Sequence, residues 1–160
     1  MSYRVGTGSD IHKLTIGKKM FLGGVEILHK KGFEGHSDAD ILLHSICDAL
    51  LGASSLGDIG KHFPNTDKKY KDISSLVLLS EVNKKILKKK YKIINIDSTI
   101  LLEKPKIQNY IPQMQKNISS VLNILIEQIS IKATTTEQLG FVGKEEGAIA
   151  TSVVLLKKIK

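Results

Sequence analysis

The sequence has 160 residues, a formal charge of +8, 41% hydrophobic residues and 25% charged residues, as is ordinary for a folded protein. A chain of this length buries roughly two-thirds of its surface, so we expect a single domain over residues 1–160. A lone cysteine, Cys47, excludes an intramolecular disulfide, and no stretch approaches the roughly 18 apolar residues of a membrane span. We therefore expect no membrane partner and a cytoplasmic protein, or a plastid one if a targeting peptide was removed.

The basic charge raises the question of nucleic-acid binding. Arg4 is the only arginine and aromatic residues make up 5% of the chain. Base and phosphate recognition relies on arginine, and single strands stack on aromatic rings. We interpret the lysines as solvated surface that can steer anionic substrates, and we expect no nucleic-acid partner.

The first predicted elements are two strand regions, followed by a helix. A strand covers Tyr3 to Thr7 and ends at Gly8, and a second region covers Met20 to Leu28, with a bulge or tight bend at Gly23-Gly24. Ser37 is predicted to cap a helix from about Asp38 to Ser54, with Asp40 as the capping-box acid. The apolar face of that helix consists of Leu42, Ile46, Ala49, Leu50 and Ala53.

The longest predicted loop runs from Leu56 to Asp72, and loops of this length are more often functional than filler. The remaining predicted elements are a helix at about Ile73–Lys90 with Leu76, Val77, Leu79, Val82 and Ile86 inward, a strand at Lys92–Leu102, a helix at Ile111–Leu125, and strands at Ile129–Ala133 and Ala148–Leu156. This alternation predicts an α/β or α+β sandwich, a mixed sheet with helices on one face.

Three residues have the chemistry of a zinc site. Asp10 and His12 lie two apart in an extended segment, so their side chains point to the same side. His44 lies four residues from both Asp40 and Asp48 on the first helix. Three protein ligands with an open fourth position are typical of catalytic zinc. From spacing alone, a chance D-x-H pair and a histidine on a solvated stripe remain the alternative.

Two further segments suit phosphate. His36 and Ser37 precede the helix, whose free N–H groups favour anions, although Ser37 also suits a simple cap. The run from Lys132 to Glu137 places three threonines and a carboxylate at a strand end, where an ordinary turn is the alternative. Cys47 has apolar neighbours and is interpreted as a packing residue.

Taken together, these segments resemble the 2-C-methyl-D-erythritol 2,4-cyclodiphosphate synthase family of the non-mevalonate isoprenoid pathway. The resemblance extends in order over nearly the whole chain. The segments that carry it are GSDIH (Gly8–His12), LGGVEI (Leu22–Ile27), HSDADILLHSICDALLGASSLGDIGKHFPNTD (His36–Asp67), EKPKIQNYIPQM (Glu103–Met114) and KATTTEQLGFVGKEEGAIA (Lys132–Ala150).

The resemblance implies two metal sites. Asp10, His12 and His44 hold zinc and leave a position for a phosphate oxygen, and Glu137 holds Mg²⁺ or Mn²⁺ between the two phosphates of the diphosphate. His36 and Thr135 are implied to stabilise the transition state.

The resemblance also implies the substrate contacts. His36 and Ser37 contact the methylerythritol phosphate, Asp48 reaches the cytidine ribose and Asp58 meets the sugar-alcohol hydroxyls. The other implied substrate-binding residues are Ile59, Gly60, Phe63, Pro64, Asn65, Thr66, Asp67, Leu102, Pro105, Lys106, Ile107, Gln108, Thr134, Thr136, Phe141 and Lys144.

The implied assembly is a homotrimer with active sites between subunits, and an isoprenoid diphosphate at the trimer axis is a hypothesis for this family. The implied substrate is linked to cytidine diphosphate, and cytidine monophosphate is the leaving group. Three residues depart from the family pattern. Asn65 replaces a usual aspartate, Lys144 a common arginine and Gln108 a usually apolar residue, which affects affinity and loop behaviour rather than the metal ligands.

Two rival functions remain at the level of the sequence. A metal-dependent phosphoanhydride hydrolase could use the same residues, but it would yield no cyclic product. A basic nucleic-acid-binding protein with structural zinc is disfavoured by the scarce arginine and by the lack of zinc-finger spacing.

Overall fold

A five-stranded mixed sheet lies at the centre of the computed structural model, which describes residues 2–159. The strands are β1 (Tyr3–Ile16), β2 (Met20–Leu22), β3 (Val25–Ile27), β4 (Lys31–Phe33), β5 (Tyr91–Leu101), β6 (Ile129–Thr134) and β7 (Gly147–Lys158). Strands β2 and β3 form a separate two-stranded hairpin, and the other five form the central sheet. The sheet order is β4-β1-β7-β5-β6, with β5 and β6 parallel and the other neighbours antiparallel. The predicted mixed sheet is therefore confirmed.

Helices pack against this sheet, in agreement with the predicted combination of a mixed sheet and helices. They are α1 (Ile41–Ala53), α2 (Ile59–His62), α3 (Ser75–Lys88), α4 (Ile111–Leu122) and α5 (Gly140–Gly143), with 3₁₀ turns at Lys68–Tyr70, Gln108–Tyr110 and Ile126–Gln128. Helix α1 packs on β1 and β7 and also contacts α3, and its predicted apolar face is fully buried. In α3 the inward assignment of Val77 is wrong, since Val77 is 48% exposed and Leu78 is buried instead.

The first strand is longer than predicted, because Gly8 does not end it. Gly8 pairs with Ser152 in β7 and the strand continues to Ile16. A Cβ at Gly8 would lie 2.2 Å from the carbonyl oxygen of Ser45 in α1. Gly8 therefore allows close contact between strand and helix, and this contact brings Asp10 near α1.

Asp40, rather than Ser37, caps helix α1, so the predicted capping box is wrong. An Asp40 carboxylate oxygen accepts a hydrogen bond from the backbone N–H of Leu43 at 3.0 Å. The same carboxylate accepts from Gly23 at 3.0 Å and Gly24 at 2.7 Å. Those two glycines form the predicted tight turn between β2 and β3, both with positive φ. The tertiary contact between Asp40 and this hairpin therefore determines which residue caps α1.

The outer face of the sheet carries exposed apolar side chains. Val5 and Ile11 of β1 are 69% and 58% exposed, and Val153 of β7 is 44% exposed. Within residues 2–159, none of the helices has the length and apolar character needed to cross a membrane.

Candidate active site

Asp10, His12 and His44 come together beside the second half of β1. One ligand atom from each lies within 4.8 Å of the others, close enough for a single metal ion. The extended backbone of β1 places Asp10 and His12 on one side, and α1 brings His44 from above. One carboxylate and two imidazoles form a donor set that suits zinc, with room for an additional ligand. The predicted clustering of these three residues is confirmed.

Hydrogen bonds orient both imidazoles of this cluster. The His12 Nδ1 atom lies 2.8 Å from the carbonyl oxygen of Ile11, which can only accept, so Nδ1 donates to it and Nε2 is the nitrogen available to a metal. The His44 Nδ1 atom lies 2.9 Å from Oδ2 of Asp10. Burial alone would lower the pKa of His44, but the hydrogen bond and charge of Asp10, with nearby carboxylates, raise its pKa.

A cavity of about 550 Å³ opens in front of this cluster. Of the residues singled out from the sequence, it is lined by Asp10, His12, His36, Ser37, His44, Ile59, Gly60, Phe63, Pro64, Asn65 and Thr66. Sequence reasoning missed Gly35, Tyr70, Ile73 and Leu78, which complete the wall. Tyr70 was detectable as an aromatic residue in the long polar loop, and its ring lies edge-on to Phe63. The cavity therefore combines the candidate metal ligands with much of the implied substrate contact set.

The three aspartates implied to bind substrate do not line that cavity. The Asp48 carboxylate accepts from the backbone N–H of Ile59 at 2.7 Å, and burial raises the pKa of Asp48. Asp58 caps α2 by accepting from the N–H of Lys61 at 2.9 Å. Asp67 caps the 3₁₀ turn at Lys68–Tyr70. In this structure all three carboxylates therefore bind and shape the loop backbone.

A second, smaller cavity of about 170 Å³ lies at the end of β6. It is lined by the predicted residues Leu102, Pro105, Lys106, Ile107, Gln108, Thr134 and Thr135, together with Glu103 and Ala133. Glu103 lies within the segment from Leu102 to Gln108 to which the resemblance assigns the cytidine and diphosphate pocket, and its carboxylate accepts from the backbone N–H of Thr136 at 3.2 Å.

The remaining predicted residues lie just after β6. The Thr135 hydroxyl donates to the Glu137 carboxylate at 2.8 Å, so the two implied catalytic and metal-binding side chains are in contact. Glu137 has a left-handed φ of 54°. Phe141 lies in α5 and Lys144 caps its C-terminal end, outside both cavities.

The two cavities occupy separate places in one subunit. Ile11 is in register with Ile149, Ile149 with Leu101, and Leu101 with Thr134. Three strand spacings therefore separate the zinc-ligand strand from the threonine strand, about 14 Å in total. One chain alone does not bring Thr135 and Glu137 to the metal cluster.

Cys47 is fully buried in α1, and burial raises the pKa of its thiol well above the ordinary value. A neutral buried thiol packs rather than reacts, in agreement with the prediction.

The fold and the site define a mixed α/β protein with a candidate catalytic metal centre at one end of a mixed sheet. The YgbB family model matches residues 3–157, and the chain belongs to this family. A relative from Alkaliphilus metalliredigens (strain QYMF), named 2-C-methyl-D-erythritol 2,4-cyclodiphosphate synthase, is 58% identical over 94% of this chain and 95% of its own. A relative of the same name from Chlorobium phaeobacteroides (strain BS1) is 53% identical over 98% of this chain and 99% of its own.

Solved structures show the same fold. The IspF–CDP complex from Plasmodium falciparum is 38% identical, with a TM-score of 0.88 over 99% of this chain and 98% of its own. The bifunctional IspDF from Campylobacter jejuni is 40% identical, with a TM-score of 0.95 over 99% of this chain, which spans only 43% of that longer protein. The resemblance inferred from the sequence motifs is thereby confirmed at the level of the family.

Proposed function

We propose that this chain converts 4-diphosphocytidyl-2-C-methyl-D-erythritol 2-phosphate into 2-C-methyl-D-erythritol 2,4-cyclodiphosphate. An oxygen of the 2-phosphate attacks the β-phosphorus. The bond from that phosphorus to the bridging oxygen breaks, and cytidine monophosphate leaves with the electron pair. The enzyme is a phosphorus–oxygen lyase of isoprenoid precursor biosynthesis, a role supported by the names of its relatives.

A single observation carries this proposal: the Asp10, His12 and His44 cluster shares one cavity with His36 and Ser37. The attacking phosphate and the phosphorus that it attacks both belong to anionic groups. The enzyme must therefore neutralise their repulsion and hold the two groups in line. Zinc at the cluster, and Mg²⁺ or Mn²⁺ at Glu137, supply Lewis acidity to the phosphate oxygens when they are bound.

The chain's own residues position the methylerythritol end. His36 and Ser37 bind its phosphate, and His36 stabilises charge as it develops on the transferring group. The Phe63 to Asp67 segment covers the cavity and limits attack by water. Asp58, Ile59 and Gly60 approach the sugar-alcohol hydroxyls from α2.

The cytidine and diphosphate pocket lies at the end of β6 in this proposal. Leu102 to Gln108 surround the base, and Thr134 to Thr136 hold the phosphates, with Thr135 at the reacting centre. Phe141 and Lys144 complete the pocket, with Lys144 contributing positive charge. Asp48 serves the ribose, directly or through the Ile59 backbone that it holds.

A homotrimer brings the two half-sites together. Since three strand spacings, about 14 Å in total, separate the strand of the metal ligands from the strand that leads to Thr135, the second pocket beside each metal cluster comes from a neighbouring subunit. Exposed apolar residues on the outer sheet face, including Val5 and Ile11, supply surface for this association.

Phosphorus NMR of the purified protein with substrate, Zn²⁺ and Mg²⁺ tests the proposal. We expect a cyclic diphosphate and an equimolar amount of cytidine monophosphate. Cytidine monophosphate with an open-chain product would identify a hydrolase instead. Absence of turnover with zinc bound would contradict the proposed reaction and direct attention to Asn65 and Lys144.

A further inference from the structure

The nitrogen of His44 that faces away from Asp10 is held by two serine hydroxyls. The Nε2 atom lies 2.9 Å from the Oγ atom of Ser75 and 3.2 Å from that of Ser37. Ser75 is fully buried at the start of α3, 31 positions along the chain from His44. In metal sites, the ring nitrogen of a histidine ligand that faces away from the metal is usually held by a hydrogen bond that fixes the orientation of the ring. The buried hydroxyl of Ser75 is placed to make such a hydrogen bond with His44.

The chemistry of Asp38 sets the direction of this hydrogen bond. Ser75 Oγ lies within a short hydrogen bond of Oδ1 of Asp38, and a carboxylate only accepts, so Ser75 donates to it. The lone pairs of Ser75 are then left for the Nε2 proton of His44. Ser37 Oγ accepts from the N–H of Ala39 with one lone pair and has a second lone pair for the Nε2 proton.

Asp38 is itself fixed by the backbone. Its Oδ2 atom accepts from the N–H of Ser75 at 2.8 Å, and its Oδ1 atom accepts from the N–H of Asp40 at 3.3 Å. Its own N–H donates to the carbonyl oxygen of Ile73 at 3.2 Å. The carboxylate thus joins the segment before α1 to the first turn of α3.

We propose that Asp38 and Ser75 are positioning residues that keep a proton on Nε2 of His44, so that a metal ion binds at Nδ1 in place of the proton that Nδ1 donates to Asp10 in the metal-free site. The inference rests on the metal site of the proposed function and adds residues that the family resemblance did not supply. His12 needs no such device, because the carbonyl oxygen of Ile11 receives its Nδ1 proton. Of the two imidazoles, His44 is therefore the one that depends on distant side chains.

Metal affinity is the direct test, with Co²⁺ and Zn²⁺ as probes in competition titrations against a chelating dye. Ser75→Ala removes the hydroxyl, and we expect a 10- to 100-fold loss of affinity, the size typical of such outer partners. Ser75→Thr keeps a hydroxyl and should restore tight binding. Ser45→Ala is the matched control, because Ser45 is equally buried but bonds to Ser152 and the Leu42 carbonyl instead.

A spectroscopic measurement on the unmodified protein removes any dependence on how the variants fold. Long-range ¹H–¹⁵N correlation of the Zn²⁺-loaded protein should show His44 protonated at Nε2 and metal-bound at Nδ1. Metal on Nε2, or equal affinity of Ser75→Ala and wild type, would overturn the positioning role. If His44→Ala bound Co²⁺ as tightly as wild type, the metal site of the proposed function would fail instead.

Discussion

The carboxylate of Asp48 accepts a hydrogen bond from the backbone N–H of Ile59 at 2.7 Å, which ties the middle of α1 to the first residue of α2. Asp48 is only partly buried, yet burial is the main cause of its raised pKa. This contact fixes the start of the loop that walls the larger cavity. Asp48 therefore connects the rigid helix that carries His44 to the part of the site that receives substrate.

Asp48→Ala should release α2 while leaving the metal cluster intact. We expect kcat/KM to fall on the order of 10- to 100-fold, because misplaced substrate contacts act on orientation. The lost hydrogen bond should lower the free energy of unfolding by about 1 kcal/mol. Steady-state kinetics with parallel zinc analysis checks this, and unchanged kinetics would show that the loop does not need the contact.

Gly8 and Gly52 offer a matched pair for the contact between β1 and α1. A Cβ at Gly8 would lie 2.2 Å from the carbonyl oxygen of Ser45, whereas at Gly52 the nearest atom is 3.9 Å away. Gly8→Ala should lower the free energy of unfolding by about 3 kcal/mol through overpacking and displace His44 from Asp10. Gly52→Ala, within α1, should raise it by up to about 1 kcal/mol. Urea denaturation of both variants checks the pair, and equal effects would refute the close-packing argument.

Two substitutions should separate the proposed metal sites. His44→Ala should lose bound zinc and nearly all activity while the assembly survives, since the core around it is unchanged. Glu137→Gln should keep zinc but raise the Mg²⁺ concentration needed for half-maximal turnover by about tenfold, equivalent to about 1.4 kcal/mol. Elemental analysis, sizing and a Mg²⁺ titration check the two variants. Wild-type turnover by His44→Ala, or an unchanged Mg²⁺ dependence of Glu137→Gln, would contradict the assignments.

Much of the metal site could be predicted from local geometry. The alternation of side chains along a strand places Asp10 and His12 on one side whatever the rest of the fold does. The position of His44 on a helix was equally clear from the sequence. What spacing could not supply was their meeting, which depends on Gly8 allowing α1 to lie directly on β1.

Other parts of the site depend on contacts that spacing does not encode. Ser37 and Asp40 are both good helix caps, and the choice between them is made by the N–H groups of Gly23 and Gly24 on a distant hairpin. Ser75 meets His44 only after α3 packs beside α1. The family resemblance named Thr135 as part of the site, but the sheet register places it three strands from Asp10 in the same chain.

The buried carboxyl group of Asp40 makes the free energy of unfolding depend on pH. Burial raises the pKa of Asp40 from 3.8 to about 6, although the N–H groups of Gly24 and Leu43 favour the charged form. The unfolded chain therefore releases this proton at lower pH than the folded chain does. The contribution of Asp40 to stability must fall as the pH rises from about 4 to about 6, and stay constant above that range.

The size of this effect is about 3 kcal/mol, from a pKa difference of roughly two units. Asp40→Asn cannot titrate at this position, so the variant loses the contribution of Asp40 to the pH dependence of stability. The lost carboxylate acceptor adds a cost that does not change with pH. The free energies of unfolding of wild type and variant should be measured in urea from pH 4.5 to 7.5. We expect the stability of wild type relative to the variant to fall as the pH rises to about 6 and then to stay constant. Parallel curves for the two proteins would show that Asp40 ionises at the same pH folded and unfolded, and that its hydrogen bonds to the hairpin fully compensate its burial.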